Sequence, residues 1–196
     1  MKKIFFLFII LSCLQVQSCK KGEEDPKISF RSRTARLTGE WELMKITGTH
    51  TVTKVSDNTR LTYTYTFDQS KSRDTLRIET TNGSWKIVDI TRFYEVIMTI
   101  EKNNALKCAY AEKVTNGTDR YEITGDWAWV KKDKKKDHVN LPALQIMYDK
   151  NTTCEVIGLK NDWMKLERDL NDTYTDEFDE EQRVSGSYVF EFEKKL

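Results

Sequence analysis

The sequence predicts an all-β domain: an antiparallel up-and-down β-barrel of eight or more strands with little helix. Three observations carry this. From residue 36 onward apolar and polar residues alternate with period two, and no segment shows the 3.6-residue apolar stripe of a long amphipathic helix. Turn residues punctuate the runs at Asp57-Asn58, Asn82-Gly83, Asn103-Asn104, Asn116-Gly117, Asn161-Asp162 and Ser185-Gly186. Many runs are rich in β-branched and aromatic residues, which suit a pleated, half-buried surface. Repeated short strands joined by hairpins close into a sandwich or a barrel.

The elements follow from these signals in chain order. Strands are expected at 37–47, 50–55, 60–68, 75–81, 84–89, 92–102, 105–114, 119–132, 138–141, 144–148, 154–160, 163–168 and 187–194. The clearest is 60–68, where Leu61, Tyr63, Tyr65 and Phe67 alternate with Thr62, Thr64 and Thr66. Tyr188, Phe190 and Phe192 alternate with Glu191 and Glu193 in the same way, and Met164, Leu166 and Arg168 with Lys165 and Glu167. Asn82-Gly83 and Asn116-Gly117 are the sharpest hairpin turns, because Asn and Gly tolerate the positive φ angles of a tight connection. Two charged stretches read as solvated loops: Lys131–Asp137 and Asp169–Glu181.

The first residues carry an address. Lys2 and Lys3 precede an apolar run from Ile4 to Leu11, too short to span a bilayer and suited to a signal peptide. Val16-Gln17-Ser18-Cys19 then resembles a bacterial lipobox, with the cysteine as the lipidated residue; Ile10-Leu11-Ser12-Cys13 resembles one too, but cutting there leaves a very short apolar run. The expected organisation is a lipoprotein signal peptide over 1–18, a lipidated Cys19 with a flexible charged tether over 19–35, and a barrel domain over 36–196. Several acyl chains on one residue anchor a protein stably where one does not. The acidic cluster Glu23-Glu24-Asp25 after Cys19 resembles the export signal of Bacteroidetes surface lipoproteins. That resemblance implies an outer-membrane, lipid-anchored, cell-surface protein; a periplasmic-facing one is the alternative.

Arg36-Leu37-Thr38-Gly39-Glu40-Trp41 opens the first strand with a Gly-x-Trp, Tyr65-Thr66-Phe67 follows, and Tyr188-Val189-Phe190-Glu191-Phe192 closes the chain. In this order, behind a lipoprotein leader, they resemble the lipocalin-like lipoproteins of Bacteroidetes, which have calycin-type barrels. The resemblance implies structural roles for Gly39 and Trp41 at the closed end of the barrel. It also implies a late-strand arginine over the tryptophan ring, a cation–π contact for which Arg168 is the candidate.

Composition narrows the function. The 196 residues contain 32 basic and 31 acidic side chains, so no net charge steers the chain toward nucleic acid. Removing residues 1–18 takes away Lys2 and Lys3 and no acid, which turns the net charge from +1 to −1. Only His50 and His138 occur, and no Ser/His/Asp or Cys/His constellation, phosphate loop or zinc spacing is present. The reading is therefore a binding module without cofactor or metal, not an enzyme. Inward candidates are Tyr63, Tyr65, Phe67, Tyr94, Tyr110, Trp127, Trp129, Tyr188, Phe190 and Phe192. Of these, Tyr63, Tyr65, Phe67, Trp127, Trp129, Tyr188 and Phe190 are the candidate lining of a mouth that takes a small apolar or amphipathic ligand. A packed core is the other reading of the same aromatics. An interaction subunit of an outer-membrane protein complex is the alternative function. Cys108 and Cys154 lie in strand-like runs and form either a disulfide or two buried free thiols.

Overall fold

Residues Gly39–Lys54 (β1) form a single strand of 16 residues, where the alternation suggested two. Gly48 interrupts the hydrophobic pattern but not the strand. A Cβ there would lie 2.3 Å from the Tyr188 ring, so the glycine makes room for an aromatic lying across the sheet. The computed structural model describes residues 24–25, 31–71, 73–80, 84–89, 95–114, 117–130, 137–145 and 151–195. The remaining strands are β2 (Arg60–Asp68), β3 (Arg73–Thr80), β4 (Trp85–Asp89), β5 (Glu95–Ile100), β6 (Ala105–Val114), β7 (Gly117–Asp126), β8 (Ala128–Trp129), β9 (His138–Asn140), β10 (Thr153–Leu159), β11 (Trp163–Thr175) and β12 (Glu181–Lys194). The described helix is one short piece, α1 (Arg33–Leu37), besides a 3-10 turn at Gln69–Lys71.

All pairings are antiparallel, and β1 organises them. One edge of β1 pairs with β12 from Trp41 to Lys54. The other edge is shared: Gly39–Glu42 pairs with β5, and Lys45–Thr53 pairs with β2. A register shift between Leu43 and Lys45 lies where the partner changes. Two branches leave this point. One runs β1–β5–β6–β7, continues through Trp127 into β8, and returns through β9, β10, β11 and β12 to β1. This is a nearly closed up-and-down barrel. The other branch, β2–β3–β4, extends the sheet beside the second half of β1.

The core is continuous. Trp41, Leu43, Ile46, Phe67, Val96, Met98, Leu106, Val139, Val156, Met164, Leu166, Phe190 and Phe192 are all buried. Inward and outward residues alternate along most of β10, β11 and β12, as the period-two pattern predicts. The outward face of β1 and β2 is a threonine ladder, with hydroxyls paired at Thr49–Thr64 (3.3 Å) and Thr51–Thr62 (3.2 Å).

Three expectations change. The acidic stretch 169–181 is mostly strand: β11 runs to Thr175 and β12 resumes at Glu181, so the loop is only 176–180. Within the strand Asp169 is exposed while Asp172 shares the inward series with buried Leu170, and the remaining acids gather at 176–181, so composition alone mistook strand for loop. The strand expected over 144–148 does not begin as one. Leu141–Gln145 turns across the interior, with Leu141, Ala143 and Leu144 buried, and Leu144 N–H donating to the Leu141 carbonyl at 3.0 Å. Residues 146–148 lie outside the described residues, as do 1–23, 26–30, Asn82-Gly83, Tyr94, Asn116 and Lys131–Lys136.

The third change concerns the tether. Within 19–35, the described residues are fixed to the barrel. Glu24 N–H donates to the Ile157 carbonyl at 3.1 Å, and the Glu24 carboxylate meets Lys165 at 2.6 Å. Asp25 is buried: it accepts from Leu159 N–H at 2.8 Å and from Arg33 Nε at 3.0 Å, with Arg36 at 3.7 Å. Arg33 and Arg36 also donate to the Val156 and Leu159 carbonyls. A charged segment that composition marks as unable to fold alone is held because the barrel supplies it with partners.

Candidate functional site

The closed end of the barrel is built around Trp41. Its ring is fully buried, and its Nε1 donates to the Leu37 carbonyl at 2.8 Å. Gly39 has φ +138°, a conformation side chains rarely adopt. The cation over the ring is Lys194, 4.8 Å from the centroid, and not the expected Arg168. Lys194 is the direct cross-strand neighbour of Trp41, whereas Arg168 faces Tyr188 farther along the sheet. The Lys194 ammonium also donates to the Thr38 carbonyl at 2.8 Å, and reaches the Arg36 carbonyl at 3.4 Å, satisfying acceptors at the end of α1. Burial, and then Arg31 nearby, lower its pKa.

Trp127 and Trp129 belong to this same end, which corrects their assignment to a ligand mouth. Trp127 Nε1 donates to the Glu101 carbonyl at 2.7 Å, and Trp129 Nε1 to Thr34 Oγ1 at 3.0 Å. The strand that carries them runs toward α1, away from the ends of β2 and β11. Sequence periodicity identifies a face of a strand, but not which end of the barrel it reaches.

The opposite end carries a different set. Register aligns the inward residues of β2, β1, β12 and β11 in rows: Phe67–Ile46–Phe190–Leu166, then Tyr65–Gly48–Tyr188–Arg168, then Tyr63–His50–Gly186–Leu170, then Leu61–Val52–Val184–Asp172. The first two rows are core, apart from the bare Gly48. Of the lining candidates on these strands, Tyr65, Phe67, Tyr188 and Phe190 are therefore buried, and Tyr63 is half-buried. Around Tyr63 lie half-buried His50, Leu61, Val52 and Val184, with Tyr174 more exposed. This is the mouth.

His50 is half-buried among these residues. Its Nδ1 lies 2.5 Å from the Tyr188 hydroxyl, and its ring stacks on Tyr63 at 4.7 Å. Burial lowers the His50 pKa, so the neutral ring accepts from the Tyr188 hydroxyl. Burial likewise raises the pKa of the Tyr188 phenol. The only sequence signal was the position of His50 on the inward series Ile46, Gly48, His50, Val52.

Deeper in, Arg168 and two cysteines form a buried polar cluster. Arg168 is 2 % exposed. Its Nε and one terminal nitrogen each lie 3.4 Å from Cys154 Sγ, the other donates to the Leu144 carbonyl at 2.9 Å, and the guanidinium sits 5.6 Å over the Phe190 ring. Cys108 and Cys154 are both free and buried in this structure. Burial pushes the Cys108 thiol up to about 12. The Tyr110 hydroxyl donates to the Ala143 carbonyl at 2.7 Å and accepts from Gln145 N–H at 2.8 Å. Arg168 and Tyr110 thus strap Leu141–Gln145 across the interior. Among the described residues no three His, Cys, Asp or Glu side chains gather as metal ligands.

No protein-family model matches the chain, and no curated protein matches it. The antiparallel, nearly closed barrel is consistent with a calycin-like fold.

Proposed function

We infer that this chain is a lipid-anchored, non-enzymatic binding protein, and that its barrel takes a small apolar or amphipathic ligand at the end away from α1. The observation that supports the reading most is the mouth itself. Tyr63, His50, Val52, Leu61 and Val184 form one continuous, mostly apolar inward face that the core leaves half open. The anchor is Cys19, on the outer membrane and on the cell surface, with a periplasmic-facing placement as the alternative. Only four residues separate Cys19 from Glu24, five steps along the chain, so the docked Glu24–Asp25 pair would hold the closed end within about 17 Å of the lipid. The mouth would then face away from the membrane.

The expected experiment is a titration of the full chain with anilinonaphthalene sulfonate, whose emission rises in apolar sites. Tyr63→Asp should abolish a saturable rise seen in the wild type, and Glu177→Ala should not. A rise that is the same in Tyr63→Asp places no site at this mouth. One observation favours the second reading, an interaction subunit of an outer-membrane complex: Phe178, on the 176–180 loop, is 75 % exposed beside the partly exposed Tyr174. Of the two charged stretches read as loops, Lys131–Lys136 lies outside the described residues and only 176–180 of the acidic one is a loop.

A further inference from the structure

Arg168 is 2 % exposed, and a guanidinium keeps its proton inside proteins, so a positive charge lies packed in the barrel interior. No carboxylate pairs with it among the described residues. The acids that do pair lie at the closed end or on the surface, such as Asp25 with Arg33 and Glu180 with Lys54. A buried charge without its opposite is costly. All three guanidinium nitrogens are bonded: one terminal nitrogen donates to the Leu144 carbonyl at 2.9 Å, while Nε and the other both donate to Cys154 Sγ at 3.4 Å. The remaining contact is the Phe190 ring. Of these partners only the Cys154 sulfur can carry a negative charge.

Two effects compete at that sulfur. Burial disfavours a thiolate standing alone. Here the core already holds a cation, and ionising Cys154 turns a buried net charge into a neutral pair. Two N–H groups on one sulfur act in the same direction, because a thiol is a weak acceptor and an ionised acceptor a strong one. Cys108 supplies the contrast in the same interior. Arg168 gives it no hydrogen bond, and burial pushes its thiol up to about 12, although a bond to Tyr110 and the charge of Arg168 act against this. The titratable groups facing the pair from other strands are Cys108 and Tyr110 on β6 and Tyr188 on β12, the direct neighbour of Arg168. Burial raises both phenols, so neither supplies an anion. On β9 the neighbour of Cys154 is apolar Val139.

We propose that Cys154 is ionised in the folded protein and that its thiolate is the counter-ion of Arg168, a nucleophilic sulfur held beside the Leu141–Gln145 strap. The pair needs no ligand in the interior and stands apart from the ligand reading above. It makes the two buried thiols chemically unlike: Cys108 is protonated and inert, and Cys154 is an anion at neutral pH. The native chain then releases the Cys154 proton more readily than the unfolded chain, whose thiols titrate at about 8.5. The stability contributed by the pair is complete above that pH and is lost as pH falls through the native transition.

The test reads the ultraviolet absorption of the thiolate in the full chain, as the difference between Cys108→Ser and Cys108→Ser/Cys154→Ser across pH 5 to pH 10. This difference isolates Cys154. It should show one thiolate per chain at pH 7, unchanged toward pH 10 and fading only on the acid side. Arg168→Gln in the Cys108→Ser background should remove the absorption at pH 7, and Arg168→Lys should keep part of it. Should a variant fail to fold, the wild type compared with itself in urea decides: the native chain should hold one more thiolate at pH 7 than the unfolded chain. Absorption that is absent at pH 7 and appears only above pH 8.5 overturns the proposal. So does absorption at pH 7 that survives Arg168→Gln, or an equal thiolate content in the native and unfolded wild type.

Discussion

Asp25→Ala tests whether the docked N-terminal segment is part of the fold. The Asp25 carboxylate side chain is 3 % exposed and Arg33 is 2 % exposed, so the pair is shielded from water. Removing the acid takes the buried carboxylate from the Arg33 guanidinium, leaves Leu159 N–H without its acceptor, and takes the nearby anion from Arg36. Breaking a buried pair by deleting one partner costs about 3–5 kcal/mol, much of it from the uncompensated charge left behind. For a chain of this size each kcal/mol corresponds to roughly 2–4 °C in melting temperature. Urea unfolding of the full chain should show a lower midpoint with an unchanged slope. Glu40→Ala is the control, because its contact with Lys195 is long at 3.9 Å and solvent-exposed. If Asp25→Ala loses no more than that control, the segment is a tether after all and the reasoning from burial fails.

Three further outcomes are expected. Trp41→Ala removes a fully buried aromatic and its bond to Leu37 and should cost about 3–5 kcal/mol, read by the same unfolding curves. His50 has a folded-state pKa lowered by burial, so the unfolded chain takes up a proton first as pH falls. Its contribution to stability is therefore complete above about pH 6.5 and is lost below it. The stability difference between wild type and His50→Gln, measured from pH 8 to pH 5, should shrink on the acid side; a flat difference contradicts this. Cys108 should resist iodoacetamide at pH 8 in the native protein and react once unfolded, because its thiol titrates only at about 12.

Particular residues show what was legible in the sequence. β2 and β6 have the bounds their patterns predicted, 60–68 and 105–114, because strict alternation and flanking turn residues are local signals. The barrel class was legible for the same reason. The acidic residues after Arg168 were misread, because Asp172 interrupts the inward apolar series between Leu170 and Tyr174 and hides the alternation. Arg168 was assigned to Trp41 when Lys194 covers it, and Trp127 and Trp129 were put at the wrong end. Both errors concern register between strands distant in sequence, which periodicity does not encode. The bond from His50 to Tyr188 and the strap across Tyr110 and Arg168 are long-range contacts of the same kind.

Native mass spectrometry of the wild-type protein, extracted from the membranes of its own cells, tests the central claim most directly. The account predicts a chain beginning at Cys19, carrying covalent acyl mass on that residue, with a small non-covalent amphiphile released on collisional activation. A stoichiometric protein partner with no small molecule, or a chain without acyl mass, would contradict it.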